Sequence, residues 1–370
     1  MSDRWLAILG TPDEPTDAVE EYCHYLSDAL AKQDIELQLL RVRWAELGWR
    51  KALIEITGEI APLNAKWILL QYTALGWSRR GFPLNVIRLI HALKKSGARC
   101  CVVFHDPEPH PGGRWRDRSR RHIQRFVMRT VVRLADINVL TVAKETIDWI
   151  PKAARNVVFI PVGANLPNPE RAWQLIKNTQ LNSMPTIVVY SISGGTLGRV
   201  ETKRVSDALR TVAREMGSVR LSVLGRNSEI AGKQLEDELA GSRVEIVVHG
   251  LRKPEDLVEL LGSADVFLFA RGPISTRRGS ALAAIACGLP VVSCEGWETA
   301  APVIEAGVWL LPENSWNSLG PGLVRVLKDD ALRDSLRARS RFAQSEYFSW
   351  SRIAAKYAEA FCKMGKDSDG

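Results

Sequence analysis

The sequence predicts an α/β protein made of two doubly wound domains in tandem. Three observations carry that expectation. Short, continuously apolar runs such as WLAIL (Trp5–Leu9) and TIVVY (Thr186–Tyr190) read as strands buried on both faces. Amphipathic segments alternate with them, as a parallel sheet requires. The pattern then halts at a polar stretch bearing Asn and Pro, Gly163–Pro185, and begins again. At 370 residues the chain also exceeds what one ordinary core accommodates.

In the first half, Trp5–Leu9 ends in Gly10-Thr11-Pro12, a strand followed by a loop. Asp17–Lys32 carries Val19, Tyr22, Cys23, Leu26 and Leu30 at helical spacing. Ile35–Val42 and Trp67–Gln71 are the next strands, and Asn85–Ser96 is an amphipathic helix. Arg99–Phe104 is a buried strand that ends in His105-Asp106-Pro107-Glu108-Pro109-His110-Pro111. Gln124–Leu134 reads as helix, Ile137–Thr141 as strand, Lys144–Ile150 as a short helix and Val157–Pro161 as a further strand.

Thr186–Tyr190 opens the second series. Helix Val200–Glu215, strand Val219–Leu224, helix Gly232–Ala240, strand Val244–His249, helix Pro254–Ser263 and strand Val266–Ala270 follow. Pro290–Ser293 and Val308–Leu311 complete the strands, and Ala331–Phe342 and Ser349–Met364 are closing helices. The expected limits are a first domain over 1–170, a linker over 171–185 and a second domain over 186–348. Tandem doubly wound domains place a ligand in the cleft between their strand C-termini.

Between Ala270 and Pro290 the chain reads loop, short helix, turn. The loop Ser275-Thr276-Arg277-Arg278-Gly279-Ser280 sits where the helix starts, and there free N–H groups and the helix dipole favour an anion. Arg277 and Arg278 add full charge and forked donors suited to phosphate oxygens. Gly279 lets the backbone approach closely, and Ser280 is placed to cap the helix. This predicts a diphosphate seat, against an ordinary connection bearing a solvated arginine pair.

The net charge of +8 is uneven: residues 1–180 carry 26 Lys and Arg against 19 Asp and Glu, and the remainder 24 against 23. The excess concentrates in Arg114–Arg133, which suits an anionic membrane surface or an anionic acceptor, or is a solvated helix face. Trp115, among those arginines, is expected to pack on its own domain rather than enter a membrane interface. No nucleic-acid module is legible. Six cysteines without CxxC spacing read as buried, reduced thiols. No apolar run approaches the ~18 residues of a spanning helix, so a cytoplasmic location, or a peripheral one at the inner face of the membrane, is expected. His105, Asp106, Glu108 and His110 offer metal-ligating types, but the interleaved prolines keep them from converging. No metal is expected. A dehydrogenase is disfavoured because no GxGxxG opens either sheet.

Over about residues 186–350 the chain resembles a glycosyltransferase of the GT-B fold, nearest the retaining group 1 family. The resemblance rests on TIVVYSISGG, LSVLGR, His249-Gly250 with Ala264-Asp265, and Ala286-Cys287-Gly288-Leu289-Pro290. It implies two Rossmann-like domains facing each other across a cleft, with helix 349–364 packing back on the first. It also implies transfer of a sugar from a nucleotide-diphosphate donor to a glycan, lipid-linked or small-molecule acceptor with retention, and no cofactor. The family usually carries two glutamates separated by seven residues, and Ser275 and Ala283 occupy those places. A degenerate binder without turnover, or a sugar-nucleotide epimerase, is therefore the alternative.

The same resemblance distributes the remaining roles. His105 approaches the donor sugar or the acceptor as the catalytic-site histidine. Gly194 and Gly195 lie in the loop that contacts donor phosphate, with Arg199 and Lys203 beside it. Arg226 borders the nucleotide, Ser275 stands at the sugar, and Glu295 or Glu298 replaces a missing carboxylate. Gly10, Thr11, Asp17 and Asp106 line the acceptor side.

Overall fold

The apolar runs become strands of two six-stranded sheets, and every pairing is parallel. The computed structural model describes residues 3–109, 112, 114–151, 154–178 and 184–366. The chain divides into two units, residues 1–161 with 350–370, and residues 162–349.

The first unit runs β1 (Asp3–Leu9), α1 (Ala18–Ala31), β2 (Ile35–Arg41), α2 (Trp44–Leu47), α3 (Trp49–Ile60), β3 (Trp67–Tyr72), α4 (Asn85–Lys94), β4 (Arg99–Phe104), α5 (Trp115–Leu134), β5 (Ile137–Leu140) and β6 (Val157–Phe159). Its strand order is β2-β1-β3-β4-β5-β6, so the direction of winding reverses between β1 and β3. Alternate residues face opposite sides. Leu6, Ile8, Ile68, Leu70, Val102 and Phe104 pack with Ile56, Leu89 and Val131 of the covering helices. Trp5 and Trp67 on the opposite face meet Phe361, at ring-centroid distances of 4.6 and 4.0 Å.

The second unit runs α6 (Ala172–Asn178), β7 (Thr186–Tyr190), α7 (Gly195–Met216), β8 (Val219–Leu224), α8 (Ser228–Glu238), β9 (Val244–Gly250), α9 (Pro254–Gly262), β10 (Val266–Phe269), α10 (Gly279–Ala286), β11 (Val291–Cys294), β12 (Val308–Leu311), α11 (Leu319–Lys328) and α12 (Asp330–Ala343). Helix α13 (Trp350–Lys366) belongs to the first unit, where the Tyr357 and Tyr22 hydroxyls meet at 2.9 Å. The second sheet has the order β12-β11-β10-β7-β8-β9, with its reversal between β7 and β10. Both of its faces are covered by apolar clusters.

Several elements differ from the sequence expectation. Helix α5 begins at Trp115 rather than Gln124, because its arginine-rich first half carries too few apolar residues to show a period. Lys144–Ile150 is not a helix: only Lys144–Thr146 turn, in a 3-10 conformation, and Trp149 and Ile150 are buried loop side chains. Helix α6 falls inside the stretch expected as a connector. Helix α11 was hidden by Gly320-Pro321-Gly322, yet a proline in the first turn removes an N–H that has no helical partner anyway. Trp115 does not pack on its own domain; it is 72% exposed. The six cysteines are free thiols, all buried except Cys362. Among the described residues no helix is long and apolar enough to cross a membrane.

Candidate functional site

In open parallel sheets, ligands bind beyond the strand carboxyl ends at the reversal point. In the second unit that point is served by the loops after β7 and β10, which are adjacent strands. The chain leaves β7 through Ser191, whose φ of 60° is unusual for a side-chain-bearing residue, and enters α7 at Gly194-Gly195. No side chain caps α7, and the space where a Cβ of Gly195 would point is open. One turn on, a Cβ at Gly198 would lie 2.0 Å from the Ser193 carbonyl oxygen, so only glycine lets the helix sit against this loop. Buried Glu201 accepts the Ser193 N–H at 2.9 Å. Burial raises its pKa, opposed by those Ser193 hydrogen bonds and by Arg271 and Arg204.

After β10 the loop is fastened twice. Arg204 donates to the Ala270 carbonyl at 3.0 Å, with its guanidinium 3.5 Å from the centre of the Trp316 ring. Further on, the carboxylate of Glu298, 2% exposed, lies under both arginines of the loop. It accepts from Arg277 Nε at 2.7 Å, from Arg278 Nη2, and from the Ser275 hydroxyl at 3.1 Å. Burial and the neighbouring Arg277 lower the Arg278 pKa, Glu298 opposing, and its Nε is buried without a hydrogen-bond partner. Arg204 and Arg271 act on Glu201, and Arg277 and Arg278 on Glu298, so several guanidinium groups and two buried carboxylates share this place. The start of α10 adds its own partial positive charge, because no side chain caps it. Such an arrangement is chemically suited to an anion with several oxygens.

Ser280 does not cap α10; Arg278 occupies the N-cap position and Ser280 is the second helical residue. The space beyond Gly279 is open, as close backbone approach requires. Lys203 is not turned to the arginine loop but pairs with Asp207 along the exposed face of α7, and Arg199 is exposed one turn earlier. Arg226 is half-buried after β8. Of the two carboxylates weighed as replacements, Glu295 is exposed and Glu298 joins the arginines. Ser275 is fully buried and holds Glu298, while Ala283 is packed into the core. Sequence reasoning missed Glu201, Arg204 and Arg271. Gly198, three residues after Gly195, was the one available signal.

The first unit is quieter. His105 follows β4, and its Nε2 lies 2.8 Å from Gln71 Oε1, which fixes Nε2 as the protonated nitrogen. Burial lowers its pKa to about 4, with Asp17 opposing, so the ring is neutral at pH 7 and gives no proton there. Gly10 is a packing residue: a Cβ would lie 2.3 Å from the Gly76 carbonyl oxygen. The Thr11 hydroxyl is buried without a partner. Asp17 caps α1 through the N–H groups of Val19 and Glu20 and pairs with Arg41, which accounts for it without an acceptor. Asp106 is exposed. His110 lies outside the described residues, among which no group of three or more His, Cys, Asp or Glu is placed to hold a metal. On α5, Trp115 and Phe126 (59% exposed) stand in the arginine stretch, where Arg120 pairs with Asp117 and Arg125 with Asp148.

Comparison with known proteins agrees with the fold. Residues 193–329 match the family model for group 1 glycosyl transferases. A glycosyltransferase from Rickettsia africae is 14% identical over 99% of both chains, with a TM-score of 0.64. Sucrose-phosphate synthase from Thermosynechococcus elongatus is 18% identical over 99% of this chain and 100% of its own, at 0.70. HepE from Anabaena, solved with UDP and glucose, is 14% identical over 98% and 100%, at 0.64. No curated protein sequence matches the chain.

Proposed function

We propose, from the premise that this chain has the GT-B fold and carries a group 1 glycosyl transferase domain, that it transfers a sugar from a nucleotide-diphosphate donor to an acceptor hydroxyl. The observation that carries this reading is the arginine pair at the uncapped start of α10, beside the uncapped start of α7. When the bond between the anomeric carbon and the diphosphate breaks, negative charge grows on the leaving oxygen. Fixed cations and helix N-termini stabilise that charge without reorganising. Arg277 and Arg278 take the diphosphate, with Gly195 and Gly279 giving access to the backbone N–H groups. Arg271, from the same loop, adds to the field.

The acceptor oxygen bonds to the anomeric carbon on the face from which the diphosphate departs, as the bond to that diphosphate breaks. Its proton passes to the departing phosphate, and attack on that face retains the configuration. His105, neutral with Nε2 bonded to Gln71, offers Nδ1 as a hydrogen-bond acceptor and so positions a hydroxyl rather than titrating. The anionic or lipid-linked class of acceptor fits α5, whose Trp115 and Phe126 stand exposed among arginines. UDP is the first nucleotide to try, since HepE was solved with it.

Release of nucleoside diphosphate from a panel of nucleotide sugars, with and without an acceptor extract, tests the reading. Acceptor-dependent release for one donor, lost in Arg277→Ala/Arg278→Ala, is expected. Binding without release for every donor would instead establish a non-catalytic nucleotide-sugar binder.

A further inference from the structure

The carboxylate of Glu298 is a chemical oddity in a site built for anions, because a buried negative charge there opposes the ligand. Its contacts explain its presence. Glu298 comes from the loop after β11, Ser275, Arg277 and Arg278 from the loop after β10, and the two loops are otherwise joined by Thr299, whose hydroxyl donates to the Ile274 carbonyl at 2.7 Å. Its two oxygens are divided, Oε2 to Arg277 Nε and the Ser275 hydroxyl, Oε1 to Arg278 Nη2. An arginine side chain has several free torsions, and two adjacent like charges repel. Without a counter-charge the pair would splay. The carboxylate is almost wholly buried while the arginine side chains keep 17% and 23% exposure, so it holds them from the more buried side.

We propose that Glu298 is a positioning residue for the diphosphate seat: it locks the Arg277 and Arg278 guanidinia into one fixed fork. This rests on the reading of that loop as the diphosphate site. Preorganised donors bind an anion better than mobile ones because less freedom is lost on binding. The competing account, in which Glu298 occupies the anion site and must be displaced, predicts the opposite sign on its removal.

The test uses the full chain and isothermal titration with UDP, GDP, ADP and dTDP, followed by ligand-observed NMR with the nucleoside of the tightest binder. If no diphosphate binds the wild type, the functional reading itself fails, separately from this inference. Given a binder, Glu298→Gln is expected to weaken the diphosphate by about tenfold while leaving nucleoside affinity unchanged, the size of one charge-assisted contact. Equal or tighter diphosphate binding would overturn the inference, and so would an equal loss for diphosphate and nucleoside, which marks a general structural role. Ser275→Ala removes one hydrogen bond to the carboxylate and no charge, so it serves if Glu298→Gln does not fold. It should weaken the diphosphate by about threefold with nucleoside binding unchanged, and unchanged diphosphate affinity would overturn the inference equally.

Discussion

Beyond the strand ends of the first unit stand Gly10, Thr11 and a neutral His105, whereas the corresponding place in the second unit sets Arg277 and Arg278 on a buried carboxylate, with Arg271 near Arg278. The sheets are built alike, six parallel strands with one reversal of winding. The difference lies in what occupies the loops. In the first, polar groups are largely consumed by the fold: Asp17 caps a helix, Arg41 bonds to Asp17 and the Gly10 carbonyl, and Gln71 holds His105. In the second, the loop after β10 places Arg277 and Arg278 on one buried carboxylate at the start of α10. One architecture thus serves for shape in one place and gathers charge in the other, and the proposed polyanion seat lies in the second.

The largest expected effect comes from glycines that hold each crevice together. Gly198→Ala should cost the second unit on the order of 3 kcal/mol, read by calorimetry, because the new Cβ meets a backbone carbonyl that has nowhere to go. Gly10→Ala strains the first crevice in the same way, yet should leave nucleotide affinity intact. A loss there would break the comparison.

His105 gives the next effect. Its folded pKa, about 4, lies below its ordinary value near 6.5, so between those pH values the unfolded chain binds more protons than the native one. Stability should therefore fall as pH drops from 6.5 toward 4, by on the order of 2 kcal/mol. His105→Gln should flatten that limb in urea titrations. An unchanged limb would show that His105 is not the buried neutral group described.

Arg271→Ala should weaken nucleoside diphosphate by about threefold and lessen the salt dependence of binding, since its charge acts at a distance. Lys203→Ala should change affinity by less than about twofold, because an exposed pair with Asp207 accounts for it. A larger effect from Lys203 than from Arg271, in the same titration, would redraw the seat toward α7.

Strands were legible because each is a short apolar run buried on both faces; Arg99–Phe104 and Val219–Leu224 were read residue for residue. Helix α3 carries a weaker signal, Ala52, Ile56 and Ile60 at four-residue spacing, diluted by the exposed Ile54 and by Gly58. The arginine loop announced itself by composition. Glu298 did not, because its pairing joins loops separated by a helix and a strand, and nothing local distinguishes it from exposed Glu295. Glu201 and Arg204 look like ordinary helix surface until the fold turns one onto the Ser193 N–H and the other onto the Ala270 carbonyl. Lys203 misled for the converse reason: proximity in sequence to a glycine loop does not decide which side of a helix a lysine follows.

Isothermal titration of wild type and Arg277→Ala/Arg278→Ala with the tightest nucleoside diphosphate tests the central claim most directly. Removing both guanidinium groups deprives the phosphates of two charge-assisted donors and should weaken binding by about 100-fold, with circular dichroism showing the fold retained. Equal affinity in the two proteins would contradict the account and place the diphosphate elsewhere.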